Sequence, residues 1–268
     1  IRPQQESLSI LIPSSELISP LSFSSIFISL LIIENLFSSE TDIFISGVDK
    51  FWGISEKISD EFFHVLDQGK VINELTDGAF DYTVFSLAAN WGFGPESLNV
   101  IDDPKDDKIK QILTYTGSDK IELDYPFIKK INPNVQLDLN AIAKGYAVDL
   151  VYEWLQKSGF NNLFIEIGGE IRCSGFNKDG KNWVIGIDSP IENSSQRIFT
   201  TVQLQNASLA TSGNYRNYLE RGGEKINHTI NPATGMPVLT NILSVSVRSE
   251  DCLSADAWAT ALMVMTYE

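Results

Sequence analysis

Hydrophobic spacing along this chain firms up from Ser59. Phe62, Leu66, Ile72 and Leu75 recur at helical intervals and predict the buried stripe of a helix. Ser59 stands where it can cap that helix, Asp60 and Glu61 fill its first turn as the dipole prefers, and Thr76-Asp77-Gly78 stops it. Upstream, residues 1–40 are rich in Ser, Ile, Leu and Phe with blurred alternation, compatible with strands but pinned by no motif. Downstream, glycines and Asn90 predict a loop over residues 79–95 around the apolar pieces Thr83–Ala89 and Trp91–Phe93, and residues 102–109 read as a charged surface excursion.

The sharpest change of period falls at Asn140. Val135, Leu137 and Leu139 alternate as in a strand, whereas Ile142, Ala147, Val151 and Leu155 follow a helical spacing, predicting a strand that runs into a helix over 141–157 with Asn140 as its cap. Further on, Leu163–Ile167 reads as a strand leading to Gly168-Gly169, where the backbone could pass close to another element or a ligand. Strand patterns follow at Trp183–Asp188, Ile198–Leu204 and Leu243–Arg248. Gly222-Gly223 reads as a hairpin tip, Asn231–Gly235 as a tight turn, and a final helix as starting after Ser254, its cap. Strands and helices mix without regular βαβ alternation, which predicts an α+β fold with mixed, largely antiparallel sheets and packed helices. Residues 1–268 read as a single domain, with two subdomains as an option.

Charge narrows the function. With 20 Lys+Arg against 35 Asp+Glu the net charge is −15, which argues against a nucleic-acid partner, since phosphate backbones need a basic surface. An acidic protein that handles phosphate needs a cation to mediate. Cys173 and Cys252 have no metal spacing and read as two packed thiols. No apolar run reaches the roughly 18–20 residues of a membrane span, and residues 18–37, the nearest, are broken by serines, Pro20 and Glu34. No methionine precedes Met236, so Ile1 is not expected to be an initiator; the expectation is a chain processed, trimmed or incompletely determined at its start, with an atypical segment 1–40 and a truncated C-terminus.

Four segments carry candidate chemistry, each with a plain structural alternative. Leu75–Asp81 reads as a helix stop and turn, which leaves Asp81 the least explained. In Leu137–Asp149, small residues at the joint (Asn140, Ala141, Ala143, Gly145) would let a phosphate reach free helix N–H groups, with Asp138 and Lys144 flanking it; the alternative is an ordinary joint with a solvated lysine. Ala210–Arg216 leads on to His228–Pro237, where His228 precedes a tight turn and is either a catalytic base or a packed residue. In Ser254–Thr260, Asp256 and Thr260 stand at i and i+4. Their carboxylate and hydroxyl suit a hard cation such as Mg²⁺; otherwise Asp256 complements the helix dipole and Thr260 bonds back to its own helix.

Taken together and in this order, the segments resemble the ApbE family of FAD:protein FMN transferases. The resemblance rests on Thr76-Asp-Gly-Ala-Phe-Asp81 with Trp91-Gly-Phe-Gly94, on Leu137–Asp149, on Glu166-Ile-Gly-Gly-Glu-Ile-Arg172, on Ala210–Arg216 with His228–Pro237, and on Ala255–Thr260, over roughly residues 59–265. It implies an ApbE-like, T-fold-related architecture and an enzyme that uses Mg²⁺ to split FAD. FMN would move to a Thr or Ser hydroxyl of an acceptor protein, a subunit of a membrane redox complex, with AMP leaving. By position, Ala79, Phe80, Asp81, Asp138, Lys144 and His228 would contact FAD, and Ile230 would line the flavin pocket. The main-chain oxygen of Ala141 and the side chains of Asp256 and Thr260 would hold the metal, with Asp256 and His228 catalytic and His228 the general base near the acceptor. The resemblance also implies export to the periplasm or cell surface, with a lipid anchor outside the given chain. The family's Met-Gly-Thr motif has no counterpart, and Phe37 and Phe44 are the candidates for its early aromatic. Two other readings compete: an FAD-binding or FAD pyrophosphatase protein that modifies no acceptor, and a non-enzymatic surface or interaction protein.

Overall fold

The computed structural model describes residues 8–11, 53, 55–93, 106–191, 197–214, 218–221 and 224–265. Phe37, Phe44, Gly94 and Arg216 lie outside the described residues. In chain order the strands are β1 (Leu8–Leu11), β2 (Glu56–Lys57), β3 (Ile121–Asp124), β4 (Phe127–Lys130), β5 (Leu163–Ile167), β6 (Glu170–Ser174), β7 (Trp183–Asp188), β8 (Ile198–Leu204), β9 (Ala207–Gly213), β10 (Tyr218–Arg221), β11 (Glu224–Asn227) and β12 (Ser244–Ser249). The helices are α1 (Asp60–Leu75), α2 (Phe85–Trp91), α3 (Asp106–Leu113), α4 (Ala143–Lys157) and α5 (Cys252–Val264). The expected α+β class and its antiparallel pairing both hold. No helix among the described residues is long and apolar enough to cross a membrane.

The chain divides into two compact units, each assembled from separated segments. The first takes in β1, residues 142–215 and residues 243–259. Its centre is a five-stranded antiparallel sheet in the order β1-β5-β6-β9-β12, with β7 and β8 paired beside it as a ribbon. The two faces of β6 have different company. Ile171 and Cys173 pack with Trp183, Ile185, Leu204, Ala207 and Leu209. Glu170 and Arg172 stand opposite Ile167 and Ile165 of β5, so they share those residues' face. α4 lies against β5 and β6, and its Val148, Val151 and Leu155 are buried. An apolar face with two charged residues set into it is unusual, and both charges have partners on α4.

The second unit holds residues 34–141, 216–242 and the chain from Thr260. It contains the sheet β2-β4-β3 and the hairpin β10-β11. Leu87, Ala88 and Trp91 of α2, Ile109 and Ile112 of α3, and Ile230 form a core cluster. The Trp91 indole N–H donates to the Gly235 carbonyl at 2.7 Å, fastening the 231–235 turn to α2. In α1, Gly69 is glycine because Tyr82 lies against it: a Cβ there would come within 2.9 Å of the ring.

The helix after Ser59 is as expected. Ser59 accepts from the Phe62 N–H at 3.1 Å, and Asp77 and Gly78 end the helix with φ of 51° and 80°. Leu75, however, is 66% exposed; Val65 and Gly69 complete the stripe, which continues to Thr76, since Leu75 lies about 100° off its axis. Residues 79–95 are not all loop, because Leu87, Ala88 and Trp91 form one buried face on α2. The excursion at 102–109 becomes, from Asp106, the amphipathic α3 with Ile109 and Ile112 inward. Residues 135–139 form no strand, and α4 begins at Ala143 without a side-chain cap from Asn140, whose N–H instead donates to Asp138 Oδ1 at 3.0 Å. The last helix begins at Cys252, and its cap is Asp251, which accepts from the Ser254 N–H at 2.7 Å. Gly168 and Gly169 serve the turn between β5 and β6 with φ of 61° and 105°; a Cβ on Gly169 would meet nothing within 4 Å.

Candidate functional site

In the first unit the chemistry gathers where α4 and α5 begin. Their initial N–H groups have no helical partners of their own, and carboxylates take them up. Asp149, on α4, accepts from the Cys252 N–H at 2.9 Å and the Leu253 N–H at 2.8 Å, and its Oδ1 also pairs with Arg172 at 2.6 Å. The Arg172 guanidinium in turn lies 4.2 Å over the Tyr152 ring. Asp256, on α5, returns the arrangement by accepting from the Gly145 N–H in the first turn of α4 at 3.0 Å. Gly145 cannot be any other residue without movement, since a Cβ there would lie 2.9 Å from the Asp256 Cβ and closer still to the Cys252 carbonyl oxygen. The small residue noticed in the sequence thus admits a neighbouring helix.

Beside Gly145, Lys144 forms an ion pair with Glu170. Glu170 and Asp256 are each 3% exposed. Burial first, and then the negative charge of Asp256, raise the Glu170 carboxyl to about 7, against the pull of Lys144. Burial and the charges of Asp149, Asp256 and Glu170 push the neighbouring Cys252 thiol well up. Three carboxylates and two cationic side chains therefore meet at one pair of helix starts.

The second unit carries two linked groups. Asp81 Oδ1 accepts from the Thr83 N–H at 2.7 Å and the Thr83 hydroxyl at 2.6 Å, while Oδ2 accepts from Ser118 N at 3.2 Å and Asn73 Nδ2 at 3.4 Å. Thr83 Oγ1 accepts in turn from Gly117 N at 2.7 Å. Burial raises the Asp81 carboxyl despite these bonds. Phe80 is 2% exposed; its N–H donates to Thr76 Oγ1 and its carbonyl accepts from Asn73. Ala79, half-buried, closes the turn through its N–H to the Thr76 carbonyl at 3.1 Å. These three residues act as a latch on the end of α1, and Asp81 is its hub.

Tyr82 joins the latch to the other group, since its carbonyl accepts from the Asp138 N–H at 2.7 Å. Burial raises the Asp138 carboxyl, while the bond from Asn140 and the charge of His228 act against it. His228 is half-buried after β11, with its ring edge-on to Phe93 at 6.3 Å. Two residues on, Ile230 sits in the core beside α2 and bridges to Pro237. The charge of His228 thus reaches Asp138, 90 residues away in sequence by their numbers.

Ala141, half-buried, lies in the turn before α4; Asp256 and Thr260 are one helical turn apart on α5. These donors are a main-chain oxygen, a carboxylate and a hydroxyl. All are hard oxygen atoms, the kind that suits a hard divalent cation. Sequence reasoning left Asp149, Glu170 and Arg172 without roles. The signal was there in β6, where charged residues alternate with Ile171 and Cys173, but it reads equally well as a strand with one wet face.

The profile of the ApbE family matches residues 33–268. The chain is 39% identical over 213 residues to the FAD:protein FMN transferase of Vibrio cholerae serotype O1, covering 79% of this chain and 63% of that protein. It is 37% identical to the protein of the same name from Haemophilus influenzae, covering 78% and 61%. It therefore spans a little over three fifths of the length of these relatives. Among solved structures, the flavin transferase ApbE from Vibrio cholerae superposes with a TM-score of 0.82 at 30% identity, covering 98% of this chain and 88% of that one.

Proposed function

Since the chain belongs to the ApbE family, we propose that it transfers FMN from FAD to a Thr or Ser hydroxyl of an acceptor protein, with Mg²⁺ as cofactor and AMP as leaving group. The carrying observation is the buried Asp256, held by Gly145 beside Lys144 and Glu170. The relatives' name supplies the donor and the protein acceptor.

In this reading Asp256, Thr260 and the Ala141 carbonyl would hold Mg²⁺, which when bound supplies charge neutralisation for the pyrophosphate. Lys144, paired with Glu170, would hold a phosphate oxygen. His228 takes the proton of the acceptor hydroxyl as its oxygen attacks the FMN phosphorus. The bond from that phosphorus to the bridging oxygen breaks, and AMP leaves with the electron pair. Asp138, which the charge of His228 reaches, would help to steady that proton on His228. Ala79, Phe80 and Asp81 would contact FAD, the last two steadied by Asn73 and Thr83, and Ile230 would line the flavin side. The acceptor is a subunit of a membrane redox complex, and the protein works exported, at the periplasmic or cell-surface side, with a lipid anchor outside this chain.

Incubation with FAD, Mg²⁺ and a purified acceptor tests the reading. The acceptor band should become fluorescent and stay so after denaturation. AMP release without labelling would support the pyrophosphatase alternative instead, and the absence of FAD binding with or without Mg²⁺ would support the interaction-protein alternative.

A further inference from the structure

Glu170 has one carboxylate oxygen more than its surroundings use. Oε1 pairs with Lys144, whereas Oε2 is buried and has no hydrogen-bond partner among the described residues. An orphaned, buried, ionisable oxygen is costly. Here the cost rises further, because the negative charge of Asp256, which accepts from Gly145 next to Lys144, acts on Glu170, and like charges in a low-dielectric site repel. The strand pattern does not require an acid: position 170 stands opposite Ile167 on the face covered by α4, where an apolar side chain would pack. Glu170 and Asp256 thus place two buried carboxylates beside the Lys144–Gly145 start of α4. A divalent cation carrying its own waters supplies both missing elements, positive charge and hydrogen-bond donors.

We propose that Glu170 is a positioning residue of the cation site, its Oε2 accepting hydrogen bonds from waters of a cation held by Asp256 while its Oε1 fixes Lys144. The inference rests on the reading of Asp256 as a cation ligand. Glu170 thereby couples the cation to Lys144, so that metal and lysine are set in place together.

The test compares wild type with Glu170→Gln, which keeps the side chain's shape and an oxygen for Lys144. Two quantities are read: the Tm without metal, and Mn²⁺ affinity by electron paramagnetic resonance. The expected result is an unchanged or higher metal-free Tm with an Mn²⁺ affinity weaker by about tenfold or more. A lower Tm with an Mn²⁺ affinity within twofold of wild type would show a role confined to holding Lys144 and overturn the inference alone. If wild type binds no Mn²⁺, the cation reading of Asp256 falls and the inference falls with it. Should the Gln variant not fold, Glu170→Asp withdraws the charge by one methylene; a several-fold loss of Mn²⁺ affinity then supports the inference, and an unchanged affinity overturns it.

Discussion

Asp256 is asked to do two things, and substitution has to separate them. It caps α4 through Gly145 and, in the proposed function, holds the cation. Asp256→Ala removes both and should cost about 1 kcal/mol or more of stability as well as turnover. Asp256→Asn keeps an oxygen for Gly145, so metal-dependent AMP release should vanish while urea unfolding moves little. Retained AMP release in the Asn variant would remove Asp256 from the metal site. His228→Asn should lower acceptor labelling by roughly 10²–10⁴-fold, the usual worth of a general base, with FAD binding kept in a fluorescence titration. At Asp81 the expectation is different in kind: Asp81→Ala should cost about 2–3 kcal/mol, read by urea unfolding, because it strips a buried hub of four hydrogen bonds.

At the scale of elements, α4 and α5 are tied by their own starts. Asp149→Ala would leave Arg172 without its carboxylate and two N–H groups of α5 unsatisfied. A loss of about 3–5 kcal/mol is expected, seen as a lower urea midpoint. Such tertiary caps explain what the sequence could and could not disclose. α1 was legible because Ser59, its acidic first turn and its stop all lie within the helix's own residues. The start of α4 was misplaced because its cap comes from Asp256, 111 residues away. α2, seven residues long, is too short to declare a period before Gly92 ends it. Of the candidate residues, Asp256, Lys144 and His228 were visible as residue types at motif positions. Glu170 and Asp149 stayed hidden because their meaning depends on which charges face them across the sheet and helix.

For the molecule as a whole, the two thiols give a probe that needs no ligand. Cys173 and Cys252 are free and buried, and burial raises Cys173 to about 11 from its ordinary value near 9. The folded state therefore holds this proton more tightly than the unfolded chain. Its contribution is fully present below about pH 9 and is lost as pH rises towards 11, by at most about 3 kcal/mol. Tm should accordingly fall across that interval, less steeply in Cys173→Ala, and thiol reagents at pH 8 should label the native protein only as it unfolds. An equal slope in the Ala variant would assign the alkaline loss to other groups.

The assembly of each unit from separated segments has a consequence for how the chain is made. The central sheet of the first unit gains its edge strand β12 only at Ser244–Ser249, after the whole of residues 216–242 has been made for the other unit, and α5 follows later still. The second unit likewise waits for the His228 loop to reach α2. Neither can be finished cotranslationally by its own early residues, so nascent chains halted before about residue 250 should remain protease-sensitive throughout, and protection should arrive late and for both units at nearly the same length.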